Sequence, residues 1–164
     1  MKLIRFAPLT LAITFVSAPA DALDLTGTWS GKFNCSNFDG LKYNTVDKNQ
    51  TLKITQPQPG QNVYVEWVGV AKFTGVVIDN QKNPDSKGQV AMADCSTSPE
   101  LNAFYAEIAK LSASVNRSKS KGSLSGTSIY SIPESQNAPQ TVGQCKWNFK
   151  LVDPQDPGVG AGCQ

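Results

Sequence analysis

From Leu25 to Cys35, and again from Gly143 to Leu151, every second residue is apolar or small and its neighbours are polar. In the first run Leu25, Gly27, Trp29, Gly31, Phe33 and Cys35 alternate with Thr26, Thr28, Ser30, Lys32 and Asn34. In the second, Gly143, Cys145, Trp147, Phe149 and Leu151 alternate with Gln144, Lys146, Asn148 and Lys150. A period of two belongs to a β-strand with one face buried, because successive side chains leave a strand on opposite sides.

Between these runs the pattern repeats in short pieces punctuated by Gly, Pro, Asn and Ser, the mark of an all-β sandwich or barrel. The segments "QTLKITQ", "NVYVEWVG", "AKFTGVVI", "QVAMADC", "AKLSASVN" and "SLSGTSIYSI" bring the predicted strands to eight. Pro59-Gly60 and Lys121-Gly122 mark turns, and Gly69 a tight turn or bulge. One stretch departs from alternation. In "SPELNAFYAEIA", Ser98 caps, Pro99 suits a first helical position, and Leu101, Phe104, Tyr105 and Ile108 fall at helical spacing. A short helix over 99–107 is predicted between the fifth and sixth strands, acting as a barrel plug or as a lid.

The ends of the chain are not barrel. Lys2 and Arg5, the apolar run 6–16 and the small residues "SAPADA" have the order of a secretory signal peptide. The apolar run is too short for a membrane span, which needs about 20 residues. The expected organisation is a signal peptide over 1–22, a β-barrel domain over 23–152 and a Pro/Gly-rich tail over 153–164. Localisation is then secreted or periplasmic, and the short leader reads as bacterial. Asn34, Asn49 and Asn116 stand in N-x-S/T sequons that matter only in a eukaryotic secretory pathway, so no glycans are expected.

Removing Lys2, Arg5 and Asp21 leaves thirteen basic and twelve acidic residues, too balanced for nucleic acid as the main partner. Arg117, Lys119 and Lys121 cluster in "NRSKSKG", read as a solvated hairpin tip. No histidine is present, which excludes a Ser-His-Asp triad, a Cys-His dyad and His-ligated zinc. Cys35, Cys95, Cys145 and Cys163 form no C-x-x-C pair, and their spacings of 60, 50 and 18 are not those of a zinc module. An even cysteine count in an exported chain predicts two disulfides, with three possible connectivities. Catalysis would rest on carboxylates alone. Glu66, Asp94, Asp153 and Asp156 show no spacing that argues for a site, so no enzyme activity, cofactor or metal is expected.

"LTGTW" opening the first strand resembles the start of the calycin superfamily, which includes lipocalins, avidins and some bacterial protease inhibitors. Gly27-Thr28-Trp29 matches their G-x-W. The resemblance implies an eight-stranded antiparallel up-and-down barrel. The basic residues nearest the end of the last strand, Lys146 and Lys150, lie on its polar face and not against Trp29, a departure from that family.

In such a barrel the first and last strands pair antiparallel. Residue numbers summing to 180 then bring Phe33 to Trp147, Gly31 to Phe149, Trp29 to Leu151 and Cys35 to Cys145, with both apolar faces inward. That register predicts a Cys35–Cys145 disulfide and leaves Cys95 for Cys163.

Two functions follow. One is binding of a small apolar or aromatic ligand by Phe33, Trp67, Phe73 and Trp147, with Gly27, Gly31, Gly75 and Gly143 leaving space. The other is a protein-binding module such as an inhibitor of a secreted protease, acting through loops 36–48 and 133–140. A cavity favours the first. A filled barrel with a protruding apolar loop favours the second.

Overall fold

A computed structural model describes residues 22–37, 45–94, 97–98, 103–104, 106–132 and 140–160. Ten strands are present: β1 (Gly27–Asn37), β2 (Thr45–Thr55), β3 (Asn62–Trp67), β4 (Ala71–Asp79), β5 (Lys87–Asp94), β6 (Thr97–Ser98), β7 (Ala103–Phe104), β8 (Ala106–Val115), β9 (Gly122–Ile132) and β10 (Thr141–Asp153). Eight of them close an antiparallel barrel in the order β1-β10-β9-β8-β5-β4-β3-β2, and β6 and β7 pair with each other outside it. No helix among the described residues is long and apolar enough to cross a membrane.

The seam follows the sequence register: Trp29 faces Leu151, Gly31 faces Phe149, Phe33 faces Trp147 and Cys35 faces Cys145. Cys35 and Cys145 are disulfide-bonded across a sequence separation of 110 residues. The expected Cys95–Cys163 partnership lies outside the described residues, as does nearly all of the signal segment 1–22.

The helix expected over 99–107 is corrected. Ala103–Phe104 and Ala106–Glu107 are extended; residues 99–102 and 105 lie outside the described set. Ladder pairing of Ala106 and Glu107 to Ser131 and Tyr130 takes the backbone hydrogen bonds there, and this tertiary pairing overrides local helix propensity.

β2 contains an irregularity that alternation did not reveal. Gly31 faces Gln50 and Lys32 faces Lys48, so Asn49 is an extra residue in the ladder. Its φ of 64° is the left-handed conformation that asparagine tolerates in such a bulge.

One end of the barrel, the floor, is closed by the segment that precedes β1. Leu23, Leu25 and Trp29 are completely buried. The Trp29 indole donates to Leu25 O at 3.0 Å. Gln56 ties the segment down: its Oε1 accepts from Leu25 N at 2.9 Å and its Nε2 donates to Leu23 O at 2.9 Å. Leu23 N donates to Asp79 Oδ1 at 3.3 Å.

The hairpin tip 116–121 folds over the same floor and is not merely solvated. Lys119 Nζ meets Asp24 Oδ2 at 2.6 Å, and Arg117 Nε meets Asp85 Oδ2 at 2.6 Å. Burial pushes the Asp24 carboxyl up. The Lys119 ammonium and the Thr26 donors outweigh that, so it titrates below its ordinary value of 3.8.

The tail is anchored here too. Thr55 Oγ1 donates to Asp156 Oδ1 at 2.6 Å and accepts from Val159 N at 2.8 Å, while Val159 itself is buried. The Thr55 hydroxyl and the Gly158 amide hold the Asp156 carboxyl below its ordinary range.

Candidate functional site

The opposite end, the mouth, is where β1, β3, β5 and β9 finish. Its connections are 38–44, 95–105 and 133–140, together with the hairpin tip 68–70. Of the loops named by sequence, 36–48 and 133–140, residues 38–44 and 133–139 lie outside the described residues, while 36–37 and 45–48 belong to β1 and β2.

The four aromatic residues expected to line a pocket are brought together just inside the mouth. Phe33 stacks on Trp67 with ring centroids 3.9 Å apart and meets Trp147 edge-on at 4.4 Å. Phe73 meets Trp147 edge-on at 5.6 Å. Both indoles are satisfied: Trp147 Nε1 donates to Ser128 Oγ at 2.8 Å, and Trp67 Nε1 donates to Gln50 Oε1 at 2.7 Å. The rings therefore fill one another's space, as the width of an eight-stranded barrel allows.

The glycines do not open the interior. A Cβ at Gly27 would meet Leu151, at Gly31 Phe149, at Gly75 Met92 and at Gly143 Tyr130, so each missing side chain seats a large neighbour. Deeper still, one void of about 10 Å³ lies among Leu25, Leu52, Val65, Val90 and Leu111. That is barely the room of one water, and its lining is apolar, so it stays dry.

Around the aromatic cluster runs a polar row that sequence reasoning missed. Asp94, Glu107, Tyr130 and Gly143 are successive cross-strand neighbours on β5, β8, β9 and β10. Asp94, Glu107, Ser128 and Tyr130 are all buried, and Asp94, Glu107 and Tyr130 each engage a neighbour. Asp94 ends β5 with its side chain buried. Glu107 was assigned to the helix, although it stands in phase with Ala109, Leu111, Ala113 and Val115. That two-residue phase was the signal available.

Beside the mouth the β3–β4 hairpin projects an apolar tip. Val70 N donates to Trp67 O at 2.9 Å, and Gly69 with φ 77° occupies the third turn position, as a type II turn requires. Val68 and Val70 on either side are 42% and 57% exposed.

These features define a class: a disulfide-closed, eight-stranded antiparallel barrel with a packed interior and one polar, aromatic-floored mouth. Comparison with known protein families, curated proteins and solved structures finds no match to this chain. Among the described residues no cluster of three or more potential ligands could hold a metal ion.

Proposed function

We propose that this chain is an exported, calycin-like protein-binding module that presents its mouth to a secreted protein, such as a protease that it inhibits. The observation that carries this is the packed interior beside a projecting apolar tip. Phe33, Trp67, Phe73 and Trp147 occupy the volume a small apolar ligand would need, while Val68 and Val70 hold apolar surface in water. Exposed valines on a tight, hydrogen-bonded hairpin turn suit insertion into an apolar subsite, because a pre-ordered loop loses little entropy on docking. The order of residues 1–22 supports export, and the GTW start with the closed barrel supports the calycin likeness.

The test is inhibition of a panel of secreted endopeptidases by the processed chain and by the Val68→Asp/Val70→Asp variant. Inhibition by the parent that the variant loses supports the proposal. Equal inhibition by both removes the hairpin tip from the site. One-to-one uptake of an apolar fluorophore that quenches Trp67 and Trp147, without inhibition of any member of the panel, assigns ligand binding instead.

A further inference from the structure

The outer wall opposite β3 carries charge of one sign. On β5, β8, β9, β10 and β1 the outward side chains form three cross-strand rows. The first is Ala91, Lys110, Thr127, Lys146 and Asn34. The second is Gln89, Ser112, Ser125, Asn148 and Lys32. The third is Lys87, Ser114, Ser123, Lys150 and Ser30. None of these fifteen residues is acidic. All five lysines are exposed, and no ion pair among the described residues engages them.

The other wall differs. There Glu66 sits between Lys53 and Lys72 as a direct neighbour of both, so a carboxylate offsets one of the two cations. The near-neutral total therefore conceals a cationic side.

The surface between the lysines is small, polar and uncharged. Ser112, Ser114, Ser123 and Ser125 floor a groove of about 780 Å³, walled by Lys87, Gln89 and the 80–82 loop with Lys82; Ile78 and Asp79 also line it, the Asp79 carboxylate accepting from Leu23 N. With neighbouring strands about 4.8 Å apart, Lys110 and Lys146 stand about 10 Å apart across Thr127. Lys146 and Lys150 are about 14 Å apart along β10, with Asn148 between them.

We propose that this wall binds an anionic polysaccharide, the lysines meeting its carboxylates and the serine, asparagine and glutamine groups exchanging hydrogen bonds with its hydroxyls. The composition decides among polyanions. Single-stranded nucleic acid is held by stacking on aromatic side chains, and every described aromatic residue of these five strands points into the barrel. A bilayer surface asks for several apolar anchors among the cations; Ile78 is the one large exposed apolar residue in the groove lining, and the exposed pair Ile108 and Ile129 lies beyond the first row, away from the serine floor. A hydroxyl-lined groove between spaced cations matches a chain that alternates hydroxyl and anionic groups. This surface is separate from the mouth and does not rest on the function proposed there.

Binding of polygalacturonate to the processed chain is measured by calorimetry at low and high salt, with neutral dextran, phosphatidylglycerol vesicles and duplex DNA as alternatives. Polygalacturonate is expected to bind and to weaken with salt, as exposed charges require. Lys146→Gln/Lys150→Gln is expected to weaken it by about tenfold or more, roughly 1.4 kcal/mol. The charge-matched Lys53→Gln/Lys72→Gln is expected to leave affinity within about twofold, a difference of some 0.4 kcal/mol. Ser112→Ala/Ser125→Ala is expected to reduce affinity without changing its salt dependence. All three variants lie on the surface, and unchanged melting confirms that they fold. Absence of polygalacturonate binding, equal loss from either lysine pair, or binding confined to vesicles or DNA would overturn the assignment.

Discussion

Replacing Trp29 tests whether the floor is what holds the barrel shut. The indole is completely buried, its Nε1 satisfies the Leu25 carbonyl at 3.0 Å, and its edge lies 2.7 Å from where a Gly122 Cβ would stand. Trp29→Ala removes the ring and leaves a cavity, which typically costs about 3–5 kcal/mol. Trp29→Phe keeps most of the packing but strands a buried carbonyl, at about 1–3 kcal/mol. For a domain of this size a 4 kcal/mol loss lowers the melting temperature by roughly 10–15 °C. Urea titration at constant slope with paired thermal melts is the assay, and the alanine variant should fall clearly below the phenylalanine one. If Trp29→Ala stays within about 1 kcal/mol of the parent, the indole does not close the floor. The calycin likeness built on GTW then goes with it.

Peptide mapping without reductant should recover Cys35 joined to Cys145; replacing both by alanine should cost about 2–5 kcal/mol, because the bond closes a loop of 110 residues. Finding Cys145 joined to Cys163 would refute the seam. Asp24 titrates lower in the folded chain than its ordinary 3.8, so the stability it adds is fully present above that value and is lost as pH falls through the depressed one. Stability measured from pH 5 down to pH 2 should drop less in Asp24→Asn than in the parent, by on the order of 1 kcal/mol given partial exposure; parallel curves would contradict this. The order of residues 1–22 predicts that exported material begins at Leu23 or Asp21, which N-terminal sequencing checks; cleavage after Ala22 would turn Leu23 N into an ammonium against Asp79. Asp79→Asn should then destabilise the processed chain more than one that retains the leader, and equal melting shifts would argue against that pairing.

How much of this was legible depended on parity. A strict period of two over 25–35 and 143–151 fixes which residues face inward, and setting Cys35 against Cys145, with small residues against large, selects the register that the seam adopts. Glu107 was lost because Leu101, Phe104, Tyr105 and Ile108 mimic a helix, and a local pattern carries no knowledge of the ladder partners that β8 finds in β5 and β9. Asn49 was invisible for a related reason: a bulge shifts phase by one residue, and the polar run 47–51 has no phase to shift. Phe33, Trp67, Phe73 and Trp147 meet because inward parity puts all four inside the barrel. Whether they leave a cavity depends on how rings and glycines interlock in three dimensions. Short serines among lysines read one strand at a time as ordinary solvent-facing positions, and only the cross-strand rows gather them into one wall.

The seam has a consequence for how the molecule comes into being. β1 is synthesised first and β10 last, yet each is the other's neighbour in the closed ring. Until β10 arrives, β1 and β9 both offer unpaired backbone edges, the feature that lets sheets join other chains. Closure across so long a separation is also slow, since loop entropy is lost before the pairing compensates. The hazardous interval in the life of this protein is therefore the one between completion of β9 and docking of β10. A chain truncated before residue 141 would be held in that state permanently, as an open sheet with a free Cys35 thiol at its edge.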